Sequence, residues 1–177
     1  MSKNNCKITT LMLARAGAIA GLYIVISLCL APISSGPIQV RISESLTILA
    51  LIFPESVVAL FVGCVLSNLI TGCAVYDIIF GGIITLVAGI LTYLSGTIIK
   101  NNLLKVIVGG LFPVILNAIF LPLIWQWCYG FLEYIYIIQV LILVAGQAVS
   151  VYLIGTPLYI TIKKLQSKNI KFLTSDF

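Results

Sequence analysis

The sequence predicts an all-α integral membrane protein, a single membrane domain over residues 1–177 built as a six-transmembrane-helix bundle with both termini cytoplasmic. Three observations carry this. Hydrophobic residues make up 61% of the chain and charged residues 8%, with a mean hydropathy of +1.20, whereas a soluble domain carries roughly a quarter charged residues. The apolar runs approach the ~20 residues that a helix needs to cross hydrocarbon, without the alternating ~10-residue segments of an outer-membrane barrel. Finally, the basic residues gather on one side of the implied topology.

The first helix is expected over about residues 8–30. Its apolar run is too long, and its leader too weakly charged, for a cleaved signal peptide, so it is kept as a mature helix. It opens with LARAGAIAG, in which Ala14 and Ala18, Ala16 and Ala20, and Gly17 and Gly21 form overlapping small-xxx-small pairs. Such a strip suits close packing within the bundle and an external docking face equally well. Arg15, one turn inside, is expected to snorkel to the cytoplasmic interface.

Ala31 to Glu44, APISSGPIQVRISE, is the one place away from the basic flanks where proline, glycine, charge and hydrogen-bonding side chains crowd together. Pro32, Gly36 and Pro37 break the helix, and the stretch suits a structured lid over a polar site. A shorter apolar segment follows over about residues 41–53, then a third helix over 54–70 led by Pro54 and Glu55, a proline and an acid that both suit a helix N-terminus. A turn at Thr71 to Tyr76 leads to a fourth helix over about 77–99 with Asp77 in its first turn. The fifth is expected over about 103–124, bent near Gly109 and Gly110 by Pro113, which removes a backbone hydrogen bond. Trp125 to Gly130 then suit an aromatic interfacial loop, and the sixth helix runs over about 133–162 into a lysine-rich tail.

Six spans put both termini on one side. That side holds Lys3, Lys7, Arg15, Lys100, Lys105, Lys163, Lys164, Lys168 and Lys171, and the other holds Arg41. The positive-inside rule therefore makes the termini cytoplasmic. The net charge of +5 reflects this membrane asymmetry, and nucleic acid is not implied as a partner.

With depth assigned in this way, Gln39, Arg41, Glu44, Asn68, Asp77, Asn117, Glu133 and Gln139 fall toward the outer half and describe a pocket opening outward. Ionisable groups at membrane depth usually face a cavity or a partner and mark a functional path. Blander readings stand beside this one. Arg41 and Glu44 have i,i+3 ion-pair spacing, Asp77 suits a helix N-terminus, and Asn68 and Asn117 suit interhelical bonds. Trp125 and Trp127 fit an interfacial belt as well as a stacking wall, and Gln147, nearer mid-membrane, suits helix glue.

The chain has no histidine and no GxxxxGK[ST] loop. Its cysteines, Cys6, Cys29, Cys64, Cys73 and Cys128, are scattered, so neither a metal site nor any other cofactor is expected. No nucleophile and base pair suggests an enzyme. Carboxylates and amides suit a small polar solute that donates hydrogen bonds, and a planar nitrogen heterocycle fits.

Several segments together resemble one family. LARAGAIAG, APISSGPIQVRISESLTIL, PESVVALFVGCVLSNLITG and YDIIFGGIITLVAG, covering most of residues 12–90, with PVILNA later, are similar to the QueT family. These are substrate-binding S components of energy-coupling factor (ECF) transporters. The resemblance implies a six-helix protein of the prokaryotic plasma membrane that captures a queuosine precursor, a 7-deazaguanine, from outside. Its implied partners are a membrane coupling protein and two cytoplasmic ATPases, with Ala14, Ala16, Ala18 and Ala20 as the docking strip and with toppling in the membrane to release the solute. It further implies that Glu44, Asp77 or Glu133 accepts from the guanine-like amine and ring N–H. Asn68, Asn117, Gln39 and Gln139 would meet the carbonyl and the remaining edge. The alternatives are an S component for another vitamin or purine-like solute, and an autonomous oligomeric facilitator that uses the small-residue helix for self-association.

Overall fold

The computed structural model describes residues 9–31, 41–130, 132 and 134–168, and among these the chain forms six helices and no strand. They are α1 (Thr10–Cys29), α2 (Ile42–Leu51, a 3-10 helix), α3 (Glu55–Ile70), α4 (Val75–Ile98), α5 (Asn102–Tyr129) and α6 (Tyr136–Gln166), whose stretch Val149–Gly155 is π-helical. Helices α1, α4, α5 and α6 are long and apolar enough to cross a membrane, whereas α2 and α3 are shorter apolar helices.

Local chemistry accounts for the ends. Thr9 caps α1, its hydroxyl accepting from the Met12 N–H at 3.3 Å, and the Asn101 side chain accepts from the Leu103 N–H at 2.9 Å to start α5; both supply an acceptor that the first helical turn lacks. Helix α5 ends where Gly130 takes φ 74°, a left-handed C-cap open to a residue without Cβ. The aromatic loop expected at Trp125 is therefore corrected: Trp125 and Trp127 belong to the last turns of α5, because nothing before Gly130 interrupts the helix. Pro113 leaves the Gly109 carbonyl without its usual intrahelical donor. Thr92 of α4 fills that vacancy, its hydroxyl donating to Gly109 O at 2.8 Å.

The shortest helix occupies the middle. At ~2.0 Å per residue in a 3-10 helix, α2 is about 20 Å long, short of the ~30 Å of hydrocarbon. Yet every residue from Ser43 to Leu51 is buried, and α2 packs against all five other helices. Surrounded by protein, it need not match the bilayer. Within it the Thr47 hydroxyl donates to the Glu44 carbonyl at 2.7 Å, which gives a buried side chain its partner locally. Neighbours approach it through glycines. A Cβ on Gly96 would stand 3.0 Å from Leu51 Cα, and one on Gly155 would stand 2.9 Å from the Ser45 carbonyl oxygen.

Arg15 departs from expectation. It is buried rather than snorkelling, with Nε 3.1 Å from Glu55 Oε1 and its guanidinium 4.9 Å from the centre of the Phe53 ring. The carboxylate within reach on α3 offsets part of the cost of taking that charge out of water. Arg15, Ile19 and Tyr23 form the buried face of α1. Ala16 and Ala20 pack toward the core beside them, whereas Ala14 and Ala18 are exposed, and Gly17 and Gly21 have no neighbour within 4 Å of a built Cβ. At 100° per residue the two alanine pairs cannot share a face.

Candidate functional site

The ends of α1, α3 and α5 and the starts of α2, α4 and α6 meet at one end of the bundle. A cavity of about 240 Å³ opens there, lined by Ser27 and Ala31 of α1 and its end, Arg41 and Ser43 at the start of α2, and Ser67, Asn68 and Thr71 at the end of α3. Cys73, Asp77 of α4, and Leu121 and Trp125 of α5 complete the wall.

A chain of hydrogen bonds orders its polar groups. Arg41 donates from Nη2 to Asn68 Oδ1 at 3.3 Å, and Asn68 Nδ2 donates to the backbone carbonyl of Asp77 at 3.2 Å. The Trp125 indole N–H donates to Asp77 Oδ1 at 3.0 Å. One side chain from each of α3, α4 and α5 is thus tied to the Arg41 that precedes α2, and the indole fixes the carboxylate. The arrangement offers a guanidinium to a solute's acceptors and a carboxylate to its N–H groups or a positive charge.

Glu44 lies deeper and is fully buried. Its Oε1 accepts from the Tyr23 hydroxyl at 2.7 Å and, more loosely, from the Thr85 hydroxyl at 3.5 Å. Oε2 has no hydrogen-bond partner among the described residues. The i,i+3 pairing of Arg41 with Glu44 is not what forms: Arg41 turns to Asn68, and Glu44 to hydroxyls of α1 and α4. Asn117 is also fully buried, and among the described residues neither its oxygen nor its nitrogen has a hydrogen-bond partner. Gln139 is buried on α6 and does not line the cavity. Gln39 and Glu133 lie outside the described residues.

Arg41, Asn68 and Asp77 are thus brought together, with Glu44 and Asn117 beneath them. Sequence reasoning overlooked Tyr23, Thr85, Ser27 and Ser67. The spacing of Arg15, Ile19 and Tyr23 at i, i+4 and i+8 carried a signal for Tyr23, since it marks one face of a helix. No such signal exists for Thr85, whose partner Glu44 is 41 positions away. Among the described residues no three His, Cys, Asp or Glu gather as a metal site would require.

Comparison with known proteins adds a family. No solved structure matches the chain. A curated relative, the queuosine precursor transporter QueT of Lactococcus lactis subsp. cremoris (strain MG1363), is 39% identical over 71 residues. That stretch is 39% of this chain and 41% of the relative, so the match spans well under half of either protein. The QueT transporter family model matches far more, residues 13–164. With that extent of match and four helices able to cross a bilayer, the protein is a multi-pass protein of the cell membrane and belongs to the QueT transporter family.

Proposed function

We propose that the protein is the substrate-capture S subunit of an ECF-type importer. It takes a queuosine precursor from outside the cell, a 7-deazaguanine such as 7-aminomethyl-7-deazaguanine, or queuine or queuosine. All six helices count as spans of one membrane domain, with both termini in the cytoplasm. The observation that carries this reading is the cavity in which Arg41, Asn68, Asp77 and Trp125 converge. A guanine-like base presents N–H donors, a carbonyl and a flat face, and these residues offer acceptors, a donor and an indole. The carboxylate of Asp77 also suits a cationic aminomethyl substituent. The lysines on the connection after α4 and near the end of α6, at the opposite end of the bundle from the cavity, agree with an outward-facing site. Gln39 and Glu133 stay in the proposal on sequence grounds.

Energy comes from a membrane coupling protein and two cytoplasmic ATPases. The docking strip is the outer face of α1: Ala14 and Ala18, with Gly17 and Gly21 between and beside them. Ala16 and Ala20 support that helix from behind.

The test is calorimetric titration of the purified protein in detergent with 7-aminomethyl-7-deazaguanine, queuine, queuosine, guanine and riboflavin. Saturable binding of a deazaguanine, with guanine and riboflavin far weaker, is the expected result. Binding of riboflavin alone would move the protein to another solute, and binding of none would end the capture reading. Uptake into vesicles that lack ATPase partners would instead indicate an autonomous facilitator.

A further inference from the structure

Beneath the cavity lies a second polar layer. Ile84 of α4, Ala118 of α5 and Leu143 of α6 belong to one apolar cluster, which brings these three helices together there. Thr85 follows Ile84, Asn117 precedes Ala118, and Gln147 lies one turn beyond Leu143. These groups therefore border one buried cluster shared by α4, α5 and α6, with Glu44 reaching it through Thr85. The cavity is directly above: Leu121 lines it one turn from Asn117, and Ser43 lines it next to Glu44.

Glu44, Asn117 and Gln147 are all fully buried. Five of their polar atoms have no hydrogen-bond partner among the described residues: Glu44 Oε2, and both amide atoms of Asn117 and of Gln147. Buried polar groups are rarely left so, and three such side chains in one layer require an explanation. Helix glue is a poor one for Gln147, since glue must bond to something. Arg15 Nε and Glu55 Oε1 also lack hydrogen bonds among the described residues, but those two face each other as an ion pair at 3.1 Å, whereas the three layer side chains face no opposite charge in any such pair.

We infer that Glu44, Asn117 and Gln147 form a deep recognition subsite that reads the amino–lactam edge of a guanine-like base, with Gln147 a specificity-determining residue. The inference rests on the capture reading above. An ionised carboxylate oxygen only accepts, and two amides each offer donors and an acceptor. That set complements adjacent N–H donors beside a carbonyl, the edge that distinguishes guanine-like bicycles from their 2-deamino analogues. The cavity, at about 240 Å³, is below the ~300–1,000 Å³ of most small-molecule sites. A substituted bicycle therefore fills it and brings its far edge to the floor, leaving the substituent near Asp77.

The experiment titrates the wild type and two variants, Gln147→Leu and Gln147→Met, with 7-deazaguanine and 7-deazahypoxanthine, and records ligand-free melting of each in detergent. The wild type is expected to prefer 7-deazaguanine. Each variant is expected to lose tenfold or more in affinity for it while its melting temperature holds or rises, because an apolar group replaces an amide with unmade bonds. Affinity within twofold of wild type in both variants would overturn the subsite and leave the capture reading standing. Loss of cooperative melting in both would show that Gln147 holds the fold, and would also overturn it. Failure of the wild type to bind either base would instead strike the capture reading itself.

Discussion

Two sets of buried charged and polar groups in this protein have opposite fates. Near the start of α1 and α3, Arg15 and Glu55 meet at 3.1 Å, with side chains 4% and 7% exposed, under the ring of Phe53. Beneath the cavity, Glu44 uses one oxygen on Tyr23 and Thr85, while its other oxygen and the amides of Asn117 and Gln147 are left without partners. The first set pairs opposite charges at close range, although Arg15 Nε and Glu55 Oε1 make no hydrogen bond among the described residues, and it belongs to the fold. The second is a collection of buried donors and acceptors behind an opening, as a site built for a solute would be.

The contrast is breakable. The largest effect is expected from Arg15→Ala, which strands Glu55 as an unpaired buried charge at a cost of about 3–5 kcal/mol. Thermal unfolding in detergent measures this, and Arg15→Met combined with Glu55→Leu should recover most of the loss. Failure of the double variant to recover would mean that the pair contributes more than its mutual neutralisation. Next, Asp77→Asn is expected to weaken binding of 7-aminomethyl-7-deazaguanine tenfold or more, about 1.4 kcal/mol, while 7-deazaguanine changes far less. Calorimetry with the two ligands checks it, and an equal loss for both would move the cationic substituent away from Asp77.

Smaller again is Tyr23→Phe. It deletes the 2.7 Å bond to Glu44 and should cost about 1–3 kcal/mol in melting stability, as a buried carboxylate loses its closest donor. A Tyr23→Phe protein as stable as wild type would mean that Glu44 is satisfied by another donor, and would weaken the contrast. The smallest expected effect is Thr92→Val, which leaves the Gly109 carbonyl freed by Pro113 without its donor. Interhelical hydrogen bonds of this kind average about 0.6 kcal/mol, and chemical denaturation in mixed micelles can resolve a change of that size. A loss several times larger would place Thr92 among the groups that hold α4 to α5.

Much of the architecture was legible from composition alone. Hydropathy is a property of each residue and adds along the chain, so the apolar helices could be read without knowing any partner. Helix boundaries were legible where a local signal stood, as at Pro54, and misplaced where the signal was aromatic: Trp125 was read as the start of a loop although only Gly130 ends α5. The cavity was legible in part. Arg41, Asn68 and Asp77 were found because charges and amides are rare in such a chain and therefore conspicuous. Tyr23 and Thr85 were not, since a tyrosine or threonine in an apolar helix is unremarkable until its hydroxyl is seen to meet a carboxylate.

What the sequence determined by itself is thus the solvent of this protein: a chain 61% hydrophobic whose charges avoid the middle of its long helices, folding as helices because a bilayer leaves no other partner for the backbone. What only the tertiary structure decided is which polar groups find each other. Arg15 meets Glu55 across 40 positions, Tyr23 meets Glu44 across 21, and Trp125 meets Asp77 across 48. Those pairings depend on the angular register between helices, which shifts by 100° with each residue. The same rotation turns Ala14 and Ala18 outward and Ala16 and Ala20 inward, a distinction that their identical spacing cannot express.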